Sequence, residues 1–204
     1  MIAGPNGAGK TTLTRFLRQR DIEFGEYINP DDIASELQGS YDERVRQAQI
    51  IADRRRDACI EAKRSFSFET VMSHPSKIDI LVRAKAAGFL VQLFFVGTDD
   101  PQTNIERVSL RVAQGGHDVP LDRIVPRWNR TMALLSSAIK ASDRSFLFDN
   151  SAAGSIDAGP TLVFTGALGT GGRFEPSLRI NPPPVWLRQY VLDPLGVSYS
   201  TPSP

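Results

Sequence analysis

The feature that most constrains this chain is a glycine-rich stretch near its start. Residues 4–12 read GPNGAGKTT, so that one glycine is followed, after four residues, by Gly-Lys-Thr. Glycines at such positions let the backbone take positive φ angles and turn several N–H groups inward, which creates an anion site. Leu13, Phe16 and Leu17 follow at helical spacing, and the positive end of a helix dipole also favours an anion. The pattern predicts a phosphate-binding loop that leads into a helix.

The loop also predicts which residues would contact a nucleotide. We expect Lys10 to reach the β- and γ-phosphates of ATP, and the Thr11 hydroxyl to hold Mg²⁺. The predicted ATP-binding residues are Gly4, Asn6, Gly7, Ala8, Gly9, Lys10, Thr11 and Thr12. The alternative, a glycine-rich turn that merely caps a helix, does not explain the Lys-Thr pair and the apolar spacing that follows it.

Strand and helix patterns alternate as far as residue 150, which predicts parallel βαβ units and an α/β P-loop NTPase fold with a mainly parallel sheet. The predicted strands span 23–28, 65–70, 90–96 and 144–148, and the longer predicted helices span 11–19, 42–64, 76–87, 101–114 and 121–141. Because only residues 1–3 precede the loop, we expect a shortened first strand, either clipped or continued upstream of Met1.

The alternation stops after about residue 150. A candidate strand at 161–166 and an apolar stretch over 185–195 are the main signals in the remainder. We expect a P-loop domain over 1–155, and a partly irregular C-terminal appendage over 156–204.

Composition narrows the classes of function. The net charge is +1 and no basic groove or RNA-binding aromatic motif is evident, so we expect no nucleic-acid partner. No apolar run approaches the ~20 residues of a membrane span, and no signal peptide precedes the loop. The single cysteine, Cys59, lies on a predicted helix among small apolar residues, which favours buried packing over catalysis. Together these features predict a reducing, cytoplasmic setting without membrane contact.

Asp31 follows the second predicted strand, at the edge where ligands of an open parallel sheet bind. A carboxylate there could accept the proton of an attacking hydroxyl group, which makes Asp31 the candidate general base. Asn-Pro-Asp is also a common helix entry, so Asp31 or Asp32 could instead cap the next helix. We prefer Asp31 for chemistry and Asp32 for the cap.

Glu69 ends the third predicted strand, at the same edge of the sheet. It could orient Mg²⁺ through water or bind a substrate hydroxyl group, and Thr70 is a weaker candidate for a polar contact with substrate. The alternative is a solvated acid at the end of a strand.

Two predicted helices carry stripes of polar and basic residues. The stripes comprise Asn104, Arg107 and Arg111 on one helix and Arg123, Arg127 and Arg130 on the next. Helices that are buried on one side and present arginines on the other suit a lid over polyphosphate, where guanidinium groups would neutralise developing charge. Two amphipathic helices with solvated arginines explain the pattern equally well.

The histidines and tryptophans give weaker signals. His117 stands alone in a glycine-rich loop, far in sequence from His74, so a histidine metal site is not predicted. Trp128 and Trp186 are expected to pack in the interior rather than stack on a ligand.

Six phrases resemble, in their order, those of the zeta-toxin-like P-loop kinases: GPNGAGKTT, INPDDIA, SFSFETVMS, NIERVSLRVAQGGHDVP, IVPRWNRT and FLFDNS. The resemblance covers roughly residues 1–150 and is closest to the GGHxVP-type relatives. It implies a nucleoside-kinase-like three-layer α/β/α sandwich with arginine-bearing lid helices. Characterised members use ATP and Mg²⁺ to phosphorylate UDP-N-acetylglucosamine at the sugar 3′-hydroxyl, and the family implies an antitoxin partner that cannot be identified from this chain.

The resemblance also implies roles for individual residues. Lys10 matches the family's phosphate-loop lysine, Asp31 its aspartate base and Glu69 its acid after the third strand. The lid arginines that would contact the transferring phosphate are best matched by Arg111 and Arg127.

Arg107 is the next match and is assigned, with Glu69 and Thr70, to substrate binding.

Two hypotheses for the function of the protein follow. The first is an ATP-dependent phosphotransferase that acts on a hydroxyl of a small substrate, with UDP-N-acetylglucosamine as one candidate. The second is an ATP-binding protein or decayed toxin without efficient kinase activity.

Overall fold

One mixed sheet organises the chain, which the computed structural model describes over residues 1–20, 22–116, 119–151, 159–169 and 172–200. The strands are β1 (Ile2–Ala3), β2 (Glu26–Ile28), β3 (Phe66–Thr70), β4 (Gln92–Gly97), β5 (Arg144–Asp149), β6 (Thr161–Leu168) and β7 (Phe174–Leu178). Their spatial order is β2-β3-β1-β4-β5-β6-β7. Strands β1 to β5 are parallel, whereas β6 and β7 pair antiparallel with their neighbours. The predicted α/β class with a mainly parallel sheet is confirmed.

Helices connect the parallel strands. They are α1 (Lys10–Arg18), α2 (Pro30–Glu36), α3 (Tyr41–Glu61), α4 (Ser76–Ala86), α5 (Pro101–Ala113) and α6 (Ile124–Ala141), the last preceded by a 3₁₀ turn at Leu121–Arg123. Near the C-terminus, short helical pieces at Val185–Leu187, Arg188–Leu192 and Asp193–Leu195 follow one another and are called the C-terminal segment below. Within the described ranges, no helix is both long enough and apolar enough to cross a membrane.

The core lies on both faces of the sheet, because successive residues of a strand point to opposite faces. In β4, Leu93 and Phe95 pack into the larger core with α3, α4, α6 and the C-terminal segment. Phe94 and Val96 pack into the smaller core with α1 and β5. Burial on both faces explains why β4 is an unbroken apolar run. Helices on each side of the sheet give the three layers that the resemblance implied.

The shortest strand lies at the centre of the five parallel strands. β1 lies between β3 and β4, and Ile2 is in register with Glu69 on one side and Phe94 on the other. Ile2 and Ala3 are buried. β1 therefore delivers the loop that follows it to the middle of the sheet's carboxyl edge.

The chain after residue 160 extends the same sheet. β6 confirms the candidate strand, although it runs to Leu168. Val163 and Phe164 belong to the larger core, as do Trp186 and Leu187 of the C-terminal segment. The expected domain boundary at residue 155 falls among residues that the structure does not describe, so the division into domain and appendage stays a prediction.

Candidate active site

The loop between β1 and α1 has the positive φ angles that the sequence predicted. Gly7 and Gly9 have φ angles of 76° and 102°, in the region that favours glycine. α1 begins directly after Gly9, which offers no side chain as a cap, so the first N–H groups of the helix remain for another partner. Gly4 and Ala8 are buried beneath the loop surface. A cavity of about 940 Å³ is lined by Asn6, Gly7, Gly9, Lys10, Thr11 and Thr12 of this loop and helix start.

Lys10 lies half-buried against the loop. Its Nζ donates to the carbonyl oxygens of Gly4, at 3.0 Å, and Pro5, at 3.1 Å. These bonds hold the ammonium group beside the N–H groups of the loop, where a phosphate would meet both.

The charged groups around Lys10 belong to residues that the sequence predicted for the active site. Burial lowers the pKa of the Lys10 ammonium, and the carboxylates of Glu69 and Asp31 act against this shift. The guanidinium groups of Arg111 and Arg127 lower the pKa of Lys10 further. The structure therefore brings residues from five different elements, β3 and α1, α2, α5 and α6, into one electrostatic group.

Glu69 is buried, with 6% of its surface exposed, so the interpretation as a solvated strand-end acid is wrong. The hydroxyl groups of Thr14 and Tyr27 both donate to Glu69 Oε1, the latter at 2.6 Å. Burial, with the bond to Glu69, raises the pKa of Tyr27, which keeps its phenol protonated as a donor. Glu69 is thereby held by one oxygen while it lines the cavity.

Sequence reasoning did not identify Thr14 and Tyr27. Thr14 could have been found, because it is a polar residue four positions after Lys10, between the buried Leu13 and Leu17 of α1. Tyr27 carries no such signal, because its contact depends on the pairing of β2 with β3.

Asp31 is exposed in the first turn of α2 and lines the cavity. The helix is capped by Asn29, whose Oδ1 accepts from Asp31 N at 3.1 Å. The expectation that Asp31 or Asp32 caps this helix is therefore wrong; Pro30 occupies the first helical position, and the cap falls one residue before it. Asp32 is exposed on the same turn but does not line the cavity.

The arginine stripes divide into cavity-lining and other residues. Arg107, Arg111 and Arg127 line the cavity from α5 and α6. Arg107 also donates to Asn150 O at 2.8 Å, and burial lowers the pKa of its guanidinium group while Asp149 opposes the shift.

Asn104, Arg123 and Arg130 do not share that position. Arg123 and Arg130 are exposed away from the cavity, and Arg123 lies 3.5 Å from Asp42. Asn104 is fully buried and does not line the cavity with the two arginines of its stripe. Its amide donates instead to the carbonyl oxygen of Asn6 in the phosphate loop.

The cavity continues past the loop in two directions. Beside Arg107 it reaches Asn150 and Thr161, beyond β5. On the other side it passes Asp31, Glu69 and Thr70 and ends among residues of α3 and the start of α4. The lining residues at that far end are Tyr41, Val45, Gln49, Ser73, His74 and Lys77. The volume is at the upper end of the range for small-molecule sites, so the cavity can hold more than a nucleotide.

The groups available to a metal ion are few. Thr11 is exposed at the start of α1 and lines the cavity, where its hydroxyl fits an Mg²⁺ bound to phosphate oxygens. In the described part of the chain, no group of three or more His, Cys, Asp or Glu side chains could hold a metal ion.

Thr70 Oγ1 accepts from Met72 N at 3.0 Å and shapes the turn after β3. His117 lies outside the described residues.

A phosphate loop after a central parallel strand, with acids and arginines around its lysine, defines the class of P-loop α/β proteins with a kinase-like fold. The zeta toxin family model matches residues 1–150, so the chain belongs to the zeta toxin family.

The chain is also similar to one curated protein and to several solved structures. An uncharacterized protein of Haemophilus influenzae is 31% identical over 129 residues, which cover 61% of this chain and 88% of that protein. A chain of the AvrRxo1-ORF1:AvrRxo1-ORF2 complex, solved with sulphate ions, has a TM-score of 0.62 at 17% identity, over 85% of this chain and 59% of that one. The same complex solved with ATP has a TM-score of 0.62 at 18% identity, with the same coverage. A chain of the PezAT toxin-antitoxin system of Streptococcus pneumoniae has a TM-score of 0.52 at 19% identity, over 73% and 66%.

Proposed function

We propose that this protein is an ATP-dependent phosphotransferase that moves the γ-phosphate of ATP to a hydroxyl group of a small substrate. The observation that carries the proposal is that one cavity joins the phosphate loop to two carboxylates, Asp31 and Glu69. A protein that only bound nucleotide would have no need for a continuous path from the phosphates to a second set of polar groups.

The nucleotide end of the cavity would bind the triphosphate. The N–H groups of the loop and of the first turn of α1 would receive phosphate oxygens, and Lys10 would exchange its loop carbonyls for the β- and γ-phosphates. Mg²⁺, held by Thr11 and the phosphates, would neutralise charge. Arg111 and Arg127 would contact the transferring group, because both act on Lys10 electrostatically and both line the cavity.

The acceptor end would bind and deprotonate the hydroxyl group. In the transfer, the hydroxyl oxygen of the acceptor would form a bond to the γ-phosphorus of ATP, and the bond from that phosphorus to the β–γ bridging oxygen would break. The proton of the hydroxyl group would pass to Asp31. Glu69 is held through Oε1 by Thr14 and Tyr27, which suits it to orient the acceptor or an Mg²⁺-bound water with its other oxygen.

UDP-N-acetylglucosamine is the first acceptor to test, because the zeta-toxin resemblance implies it and the cavity extends beyond Asp31 to Gln49 and Lys77. A partner protein is also proposed. The solved relatives are a two-protein complex and a toxin-antitoxin system, so an antitoxin-like protein that covers this cavity is expected.

The decisive experiment measures ADP release from ATP and Mg²⁺ with and without UDP-N-acetylglucosamine, with the product analysed by mass spectrometry. A phosphorylated acceptor formed by the wild type and not by Lys10→Ala supports the proposal. ATP binding without transfer to this acceptor, or to a panel of other sugars and nucleotides, would favour the nucleotide-binding protein instead.

A further inference from the structure

A chain of hydrogen bonds runs from α6 to the phosphate loop. Trp128 Nε1 donates to Thr98 Oγ1 at 3.3 Å, and Thr98 Oγ1 donates in turn to Asn104 Oδ1. The amide nitrogen of Asn104 then donates to the carbonyl oxygen of Asn6. Thr98 and Asn104 are fully buried and Trp128 is 6% exposed, so water cannot readily replace a lost partner.

A second path runs from the C-terminal segment to the same loop, through hydrogen bonds and the peptide link between Asp149 and Asn150. Trp186 Nε1 donates to Asp149 Oδ1 at 2.7 Å, and Trp186 N donates to Asp99 Oδ1 at 2.8 Å. These two bonds bridge the ends of β4 and β5. Asn150, the next residue after Asp149, donates from Nδ2 to Ala8 O at 2.9 Å. Trp128 and Trp186 are the two tryptophans of the protein. Trp128 begins the first path, and Trp186 begins the second by bonding to the residue before Asn150.

The loop touches both asparagines at its glycines. A Cβ atom on Gly7 would lie 2.5 Å from the backbone oxygen of Asn104, and one on Gly9 would lie 2.6 Å from Nδ2 of Asn150. The loop backbone therefore rests directly on these two residues, at a distance that only glycine permits.

A loop that turns its N–H groups toward an anion must turn carbonyl groups away from it. Buried carbonyl oxygens need donors, or the loop conformation becomes costly. Asn104 supplies a donor to the carbonyl of Asn6, and Asn150 supplies one to the carbonyl of Ala8. The two asparagine amides thus satisfy the carbonyl groups of the two residues that flank Gly7.

We propose that Asn104 and Asn150 are positioning residues for nucleotide phosphate, and that Trp128 and Trp186 hold them in place. The inference rests on the proposed function only in taking nucleotide as the anion. It also assigns a role to the C-terminal segment, which lies beyond the residues that the family model matches.

Two measurements on the purified full chain test this inference. ATP binding is measured by calorimetry with Mg²⁺, and amide hydrogen exchange of residues 4–10 is measured without nucleotide. Asn104→Ala and Asn150→Ala should each weaken ATP binding roughly 10-fold or more, the effect of one unsatisfied buried group. Trp128→Phe and Trp186→Phe keep an aromatic ring but lack the N–H donor, and each should weaken binding about threefold. Exchange at the loop should accelerate in all four.

Asn129→Ala is the matched control, because Asn129 is exposed on α6. Its ATP affinity and loop exchange should equal those of the wild type. If the asparagines only stabilise the fold, their alanine variants should have a lower melting temperature but unchanged ATP affinity and unchanged loop exchange in the folded protein. That result would overturn the inference. If the wild type does not bind ATP, the proposed function fails, and the exchange measurement alone decides whether the asparagines hold the loop.

Discussion

Lys10 is the residue on which use of nucleotide should depend most directly. Lys10→Ala should abolish ATP turnover, because the ammonium group is the point charge expected between the β- and γ-phosphates. Its ammonium group donates to carbonyl groups of the loop, so the fold should survive the change. Turnover assays check the loss of activity, and a circular dichroism melt of the same sample checks that the fold is intact. Wild-type turnover in this variant would remove the basis for the phosphate-loop assignment.

Asp31 and Asp32 are adjacent but should behave differently. Asp31 lines the cavity and Asp32 does not. Asp31→Asn should retain ATP binding and lose about 100- to 10,000-fold in phosphoryl transfer, since asparagine cannot accept the proton. Asp32→Asn should change transfer little. Stopped assays with a verified acceptor provide the measurement, and calorimetry confirms ATP binding.

The opposite result, an inactive Asp32→Asn and an active Asp31→Asn, would show that the general base is Asp32. Full activity in both would direct attention to Glu69. Asn29→Ala serves as a separate control for helix stability, because loss of the cap should cost about 0.5–2 kcal/mol without removing a carboxylate.

Arg111 and Arg127 should affect rate more than stability. Each alanine variant should lose roughly 10- to 1,000-fold in turnover if its guanidinium group contacts the transferring phosphate. Arg130→Ala is the matched control, because Arg130 is exposed on the same helix as Arg127 and does not line the cavity. Unchanged kinetics in Arg111→Ala and Arg127→Ala would support the solvated-helix interpretation.

Sequence reasoning found the charged residues of the site better than the neutral ones. Asp31 follows one strand of the parallel sheet and Glu69 lies near the end of another, and these positions alone indicate the ligand edge. Tyr27 and Asn150 act through contacts between segments far apart in sequence, which no local pattern encodes. Asn104 was grouped with Arg107 and Arg111 because helical spacing gives only the angle of a residue around the helix axis. It does not show which part of the fold packs against that residue.

At the scale of elements, Asp143 lies just before β5 and connects it to α4 and to the residue before β4. Its Oδ2 accepts from Val91 N at 2.7 Å, and its Oδ1 lies 2.9 Å from Lys85 Nζ of α4. Burial alone would raise the pKa of Asp143, but the Val91 N–H and the Lys85 ammonium outweigh it, so the pKa lies below its usual value. The ionised carboxylate therefore stabilises the folded state above the unfolded pKa of ~3.9, and this stabilisation is lost as the pH falls through the lower folded pKa.

Asp143→Ala should accordingly reduce the free energy of unfolding by about 1.5 kcal/mol at pH 7, the low end for a bond to a charged group. The difference from the wild type should shrink at pH values below about 4. Urea unfolding at several pH values measures it, with Glu36→Ala as the control because Glu36 is exposed. A difference that is constant across pH would show that the charge of Asp143 does not contribute.

The elements themselves could largely be predicted, and their ends could not. Periodicity placed α3, α4, α5 and α6 within a few residues. The start of α2 was assigned to the wrong cap, because Asn, Pro, Asp and Asp all favour a helix start and only the backbone shows which one precedes the first turn.

For the whole molecule, the sequence predicted the parallel half of the sheet and left the rest open. βαβ alternation implies parallel pairing because each crossover helix returns the chain to the same end of the sheet. β6 and β7 pair antiparallel with their neighbours, and no helical sequence pattern precedes either strand. Their place beside β5, and the insertion of Trp186 under the strand ends, depend on core packing that becomes visible only in three dimensions.

The position of β1 has a consequence for the order of events during synthesis. β1 precedes β3 and β4 in the chain, so Glu69 and Phe94, the partners of Ile2, belong to strands that are made later. Until β3 and β4 exist, Ile2 and Ala3 lack both strands that pair with them, and the loop lacks the amides of Asn104 and Asn150. Contacts between such distant segments form slowly, because a long stretch of chain must close first. β1 must therefore remain unpaired until β3 has been translated, and the loop after it gains its last support only when Asn150 has been made.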